Sequence, residues 1–265
     1  MILLPAICTT LLLHLCSVIN AVPTTTSSTP SSIQAGKLVI AYVPDWTGFK
    51  ASAINYTLVT HVHYSFASLD VFGSVIVPAG LTPDFIKTVH AAKRFVTLTI
   101  GGWGTTPFSQ IFSTAPGIVN ATTSISKIVS KLGLDGIEID WEFPGGPGAP
   151  GNKYNQATDT ANYLAFLKAL RLKLGSQILI SACGIITPFI GSNGLPITST
   201  TEFAKVLDFV MLMAYDINGS WNTVTGPNAP LQQDLSGKNP GSVVAGISSW
   251  TKSGFPANKI VLGTA

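Results

Sequence analysis

From Lys37 onward the chain alternates short apolar runs with longer amphipathic ones. The apolar runs are Leu38–Val43, His61–Ala67, Phe95–Gly101, Gly136–Glu142, Ile178–Ala182, Phe209–Tyr215 and Ile260–Leu262. Most are apolar on both faces, as strands buried on two sides of a parallel sheet are. Between them the apolar spacing lengthens to that of helices. Thr82 and Pro83 open one predicted helix. Ile125, Ile128, Val129 and Leu132 fall at i, i+3, i+4 and i+7 before Gly133. Tyr163, Phe166, Leu167, Leu170 and Leu174 repeat the pattern before Gly175. Such strand–helix repeats predict an α/β fold with parallel strands and right-handed crossovers.

A doubly wound nucleotide-binding sheet would carry G-x-G-x-x-G after its first strand. The first run here ends Tyr42-Val43-Pro44-Asp45-Trp46 instead. The expectation is therefore a TIM (β/α)8 barrel, C-terminally incomplete: seven strands are identifiable and no segment reads as the eighth. Open edges on the first and seventh strands would leave backbone and interior apolar surface unpaired. Were the polypeptide to end at Ala265, poor folding and little activity are expected.

The segment before Lys37 reads differently. Residues 1–21 are predicted as a secretory signal peptide, with Ile2 to Leu4 and Leu11 to Leu13 as its apolar part. A spanning helix is the rival, but Pro5, Thr9, Thr10 and His14 interrupt it. Residues 22–36, rich in serine, threonine and proline, form a linker with little apolar area to bury. The barrel is placed at 37–265. Three Asn-x-Ser/Thr sequences, at Asn55, Asn120 and Asn218, become glycan acceptors if the chain is secreted. Cys8 and Cys16 would leave with the signal, and Cys183 is read as a buried small hydrophobe.

Composition narrows the function classes. The 265 residues are 46% hydrophobic and 10% charged, which excludes a disordered chain. A net charge of +3 with no basic run gives no nucleic-acid footprint.

Charged residues are scarce, yet four of the 12 acidic ones cluster: Asp135, Glu138, Asp140 and Glu142, in LDGIEIDWEFPGG. Glu138, Asp140 and Glu142 alternate with Ile137, Ile139 and Trp141. On a strand that puts three carboxyls on one face, about 6.5–7 Å apart along the chain. The apolar set would face the helices and the acidic set the barrel axis. Crowded like charges require at least one carboxyl to hold a proton, which is what a general acid needs. The last of the three lies where barrel enzymes place their chemistry. The rival readings are a structural polar core and a metal site, with Asp216 as a further ligand.

Asp216 follows Met213-Ala214-Tyr215 at another strand end. Of the five tryptophans, Trp46, Trp103, Trp141 and Trp221 lie at or beyond strand ends, where flat faces suit sugar stacking; Trp250 is predicted as core. His61 and His63 share a strand face and are read as packed neutral histidines. Gly101 and Gly102 permit close backbone approach.

LDGIEIDWE resembles the fourth-strand signature D-G-x-D-x-D-x-E of glycoside hydrolase family 18, the chitinases. Thr97–Trp103 is similar to the third-strand S-x-G-G motif, and Leu212–Asp216 with Gly219-Ser220-Trp221 to the sixth-strand M-x-Y-D motif and its loop. The resemblance runs in order from residue 37 to 265. It implies a retaining hydrolase of β-1,4-N-acetylglucosaminide linkages in chitin or chito-oligosaccharides, in which the substrate's own acetamido oxygen is the nucleophile; with the signal segment, a secreted protein is expected, and a monomer. No cofactor, metal, nucleic acid or membrane partner is implied. By resemblance Glu142 is the general acid/base, Asp140 orients the acetamido group, and Tyr215 and Asp216 support that pocket. Glu138 shares a proton with Asp140. Trp46, Trp103, Trp221, Met213 and Gly102 line the sugar cleft. The chain departs from the family at Glu138, where aspartate is usual, and at Thr99, where serine is. It also lacks a counterpart of the eighth strand and its tryptophan. The alternatives are a chitinase-like lectin that binds without cutting, and an endo-β-N-acetylglucosaminidase acting on N-glycans.

Overall fold

A computed structural model describes residues 37–104, 106–233 and 241–264. The expected signal segment and linker lie outside the described residues. The strands are β1 (Ile40–Pro44), β2 (His61–Leu69), β3 (Val75–Ile76), β4 (Phe95–Gly101), β5 (Gly136–Asp140), β6 (Leu179–Gly184), β7 (Phe209–Met213) and β8 (Ile260–Gly263). Seven pair in parallel in the order β1-β2-β4-β5-β6-β7-β8, and β3 forms a short antiparallel pair with the end of β2. The result is a curled parallel sheet with helices outside it, a TIM-type barrel whose described part is open between β1 and β8. The predicted architecture and its seven strands are thus present; β3 is an addition.

Two strands stop short of their predicted ends, β5 at Asp140 and β7 at Met213. On β5 the ladder to β4 closes with Gly101 opposite Asp140, and the ladder to β6 ends at Ile139. Glu142 and Tyr215 therefore stand on the loops just past the strands. The sheet opens there.

The main outer helices are α1 (Pro83–Ala91), α2 (Phe108–Phe112), α3 (Ala115–Leu132), α4 (Asp159–Leu174), α5 (Thr201–Val206) and α6 (Val243–Lys252). Thr82 caps α1 by accepting from the Phe85 N–H at 3.1 Å, and Thr114 caps α3 through Gly117 N–H at 3.1 Å. Gly133 ends α3 in the left-handed conformation at φ 68°. On α4, Tyr163, Phe166, Leu167 and Leu170 are buried against the sheet, as the spacing predicts.

Ile137 and Ile139 belong to this sheet–helix core. Trp141 does too: its ring packs against Phe108, Phe112 and Tyr163. Its backbone position past a strand had suggested a sugar-stacking face, but strand alternation turns it to the helix side. Trp250 is fully buried and donates to the Ile185 carbonyl at 2.8 Å.

Asp135, first of the clustered acids, works at the opposite end of the barrel, accepting from the Val96 N–H at 2.7 Å and from His90 Nε2 at 2.8 Å. Asn55 and Asn120 are exposed, whereas Asn218 is buried and donates through Nδ2 to the Pro227 carbonyl at 2.9 Å. The Asn218 amide is thus part of the fold, which sets it apart from the other two acceptor sequences. Among the described residues no helix is long and apolar enough to cross a membrane.

Candidate functional site

Alternation along β5 points Glu138 and Asp140 into the barrel. Glu138 is fully buried, with donors from four strands around it. Its Oε2 accepts from Tyr42 OH on β1 at 2.8 Å, His63 Nδ1 on β2 at 3.1 Å and Thr99 Oγ1 on β4 at 2.9 Å. Its Oε1 accepts from Ser181 Oγ on β6 at 3.2 Å. Burial alone pushes this carboxyl up, but the charge and hydrogen bond of His63, with Tyr42 and Thr99, outweigh it and hold Glu138 below its ordinary value. Whether Glu138 shares a proton with Asp140, as the resemblance implies, is taken up below. The added methylene carries its carboxyl into a pocket of donors.

Asp140 is in the reverse situation. It is 5% exposed, and Oδ1 has no hydrogen-bond partner among the described residues. Burial, then the charges of Glu142 and Glu138, push its carboxyl well up; a hydrogen bond from the Cys183 thiol works the other way. Cys183 is buried as expected, yet it is also a polar neighbour of Asp140, with its own thiol pushed up by burial and by Asp140.

Glu142 is partly buried just past β5, and its carboxyl is raised to about 7, by burial first and then by the charge of Asp216. Burial also raises the Tyr215 phenol, which stays neutral and able to donate. Asp216 is exposed at φ 52° in the left-handed region. Asn228 fixes it: Asn228 Nδ2 donates to Asp216 Oδ1 at 2.7 Å, and the Asp216 N–H donates to Asn228 Oδ1 at 3.2 Å.

Asp140, Glu142, Tyr215 and Asp216 meet in one cleft of about 900 Å³ at the open end of the sheet. Trp103, Trp221 and Met213 line it, with Phe66 and Phe143. Trp103 and Trp221 are 62% and 65% exposed, which leaves ring surface open to the apolar side of a sugar. Trp46 is outside this lining and stacks on Phe66, centroids 6.1 Å apart. Gly101 and Gly102 bring β4 against β5: the Gly102 N–H donates to the Asp140 carbonyl at 2.9 Å, and a Cβ on Gly101 would stand 2.0 Å from that oxygen.

His61 is buried and lowered to about 4 by that burial, then by His63. Among the described residues no group of three or more His, Cys, Asp or Glu side chains is arranged to hold a metal. Sequence reading missed the donor roles of Tyr42, His63, Ser181 and Cys183, together with Phe66 and Asn228. Only the period-two spacing of Ser181 and Cys183 hinted that both face the acidic row.

The family model described as glycosyl hydrolases family 18 matches residues 38–265. The chain belongs to glycosyl hydrolases family 18. Within the family, a chitinase-like effector of Moniliophthora roreri is 35% identical over 93% of this chain and 62% of its own length. One from Moniliophthora perniciosa is also 35% identical, over 84% of this chain and 53% of its own. The crystal structure of a chitinase from Rhizomucor miehei superposes with a TM-score of 0.80 at 31% identity, covering 86% of this chain and 62% of that one. The chain thus spans between half and two thirds of the length of these family 18 relatives.

Proposed function

We propose that the protein is a secreted chitinase, hydrolysing β-1,4-linked N-acetylglucosamine polymers with retention and with the substrate's acetamido group as nucleophile. The observation that carries this is Glu142, a carboxyl raised to about 7 at the wall of an aromatic cleft. Such a group is protonated in mildly acid solution and ionised after giving up its proton, so it serves as acid and then as base. Asp140 lies deeper, with an unpaired oxygen suited to an acetamido N–H. Tyr215 offers a neutral hydroxyl to the acetamido oxygen. Asp216, fixed by Asn228, keeps the Glu142 proton in place electrostatically. Trp103 and Trp221 give sugar rings their apolar walls, and Trp46 extends the aromatic rim through Phe66.

Release of soluble sugars from colloidal chitin tests the reading. Glu142→Gln should lower it about a hundredfold or more while chito-oligosaccharide binding is kept. Undiminished turnover in that variant would remove Glu142 from the acid role. A second reading, chitin binding without cutting, is left open by the chitinase-like effectors among the relatives and is motivated by glutamate at position 138, where the family usually has aspartate. Binding with no sugar release from the unaltered chain would support it. Release of glycans from a glycoprotein, and none from chitin, would mark an endo-β-N-acetylglucosaminidase.

A further inference from the structure

The two inward carboxyls of β5 are held differently. Three donors converge on one oxygen of Glu138 and a fourth meets the other. Asp140 has a thiol and an oxygen without a partner. His63 is the distinctive element of the first set. Its ring is fully buried between Tyr42 and Phe209, and its Nε2 has no partner among the described residues. The contact from Nδ1 to Glu138 at 3.1 Å is the polar use of that ring. A buried imidazole and a buried carboxylate each cost desolvation, which a direct hydrogen bond between them offsets.

We propose that His63 and Glu138 are a positioning pair: the His63 Nδ1–H keeps Glu138 as a buried anion, and that anion retains a proton on the Asp140–Glu142 pair rather than sharing one with it. Neither residue touches the cleft, so both act through Asp140. The groups facing Glu138 are Tyr42 from β1, His63 from β2, Thr99 from β4, Ser181 from β6 and Asp140 on its own strand. Of the titratable groups packed further around it, His61 is held down to about 4, and Cys183 and Tyr163 are held up, all by burial first. These three are neutral near pH 7. Of the charges inside the barrel it is that of Glu138, two residues away on the same strand, that pushes the Asp140 carboxyl up, behind burial and Glu142; His63 acts on Asp140 by keeping that charge in place. Two carboxyls about 6.5–7 Å apart along a strand in a partly polar interior shift one another by about one to two pH units.

The pair deepens the hydrolase reading and rests on it only for its effect on turnover; the charges are read without turnover. Infrared pH-difference spectra of the full chain report protonated carboxyls, and Asp140→Asn identifies the Asp140 band. In Glu138→Gln that band should titrate about one to two units lower than in the unaltered protein. His63→Leu should move it the same way, because Glu138 then takes up a proton, and His63→Gln, which keeps a donor without the charge, should restore it in part. An unmoved or raised Asp140 titration in Glu138→Gln would overturn the pair, since a neutral, proton-sharing Glu138 has no charge to lose. If Glu138→Gln fails to fold, the His63→Leu and His63→Gln comparison decides, equal titrations counting against the pair. If the band shifts as expected but no variant or parent releases sugar, the pair stands and the hydrolase reading falls.

Discussion

Glu142 couples the chemistry of the cleft to the stability of the fold. Its carboxyl has an ordinary value of 4.5 and is raised to about 7. A raised acid binds its proton more tightly in the folded chain than in the unfolded one. Its contribution is thus full below about 4.5 and is lost as pH rises towards about 7. The thermal midpoint of the unaltered protein should fall over that window, and Glu142→Gln should flatten this part of the profile, an effect read by circular dichroism melts across pH. Equal slopes in the two proteins would show that Glu142 is not the raised group. Hydrolysis should decline above about pH 7 for the same reason, as the acid loses its proton. Glu142, Asp140 and Tyr215 were legible in the sequence because alternation and strand-end position are local properties. The proton inventory was not. That Glu138 is held low while Asp140 is held high depends on Tyr42, His63, Thr99 and Ser181, which lie 96, 75, 39 and 43 residues away.

At the scale of elements, the β4–β5 seam positions the whole acidic row. Thr99 lies opposite Glu138 and Gly101 opposite Asp140, so a slip by one residue would take the Thr99 donor away from Glu138. The seam closes on Gly101 at φ 117° with no room for a side chain. Gly101→Ala combines a backbone conformation that alanine rarely adopts with a Cβ 2.0 Å from the Asp140 carbonyl oxygen. A loss of about 2 kcal/mol or more in urea unfolding is expected, by analogy with overpacking and strained backbone; a loss below about 0.5 kcal/mol, the ordinary surface range, would show that the seam can yield. The strands themselves were readable, because burial on both faces makes them apolar throughout. Their ends were not. Nothing in GIEIDWE marks Asp140 as the last paired residue, since the ladder stops where β6 leaves β5. The helix-side burial of Trp141 likewise follows from the aromatic cluster it joins, contributed by α2 and α4.

At the scale of the molecule, helices cover one side of the sheet and the cleft opens at its carboxyl end, so the loop after β7 is the place where surface chemistry and site meet. Asn218 lies on it, two residues after Asp216. Its Nδ2 donates to Pro227, and the neighbouring Asn228 holds Asp216 while donating to the Asn218 carbonyl at 3.4 Å. These contacts tie the loop into one unit. A glycan on the Asn218 amide would remove its contact to Pro227 and force a bulky polar group into a position that is 4% exposed. Chains glycosylated there before folding could not close the loop. When the protein is produced through a secretory host, the folded fraction should therefore carry N-glycans at Asn55 and Asn120, which are exposed, and none at Asn218. Peptide mapping before and after glycan removal checks this, and Asn218→Gln should leave the glycan mass of the folded fraction unchanged. A glycan found on Asn218 of folded, chitin-binding protein would mean that the loop stands open in solution, and with it the Asn228 clamp on Asp216.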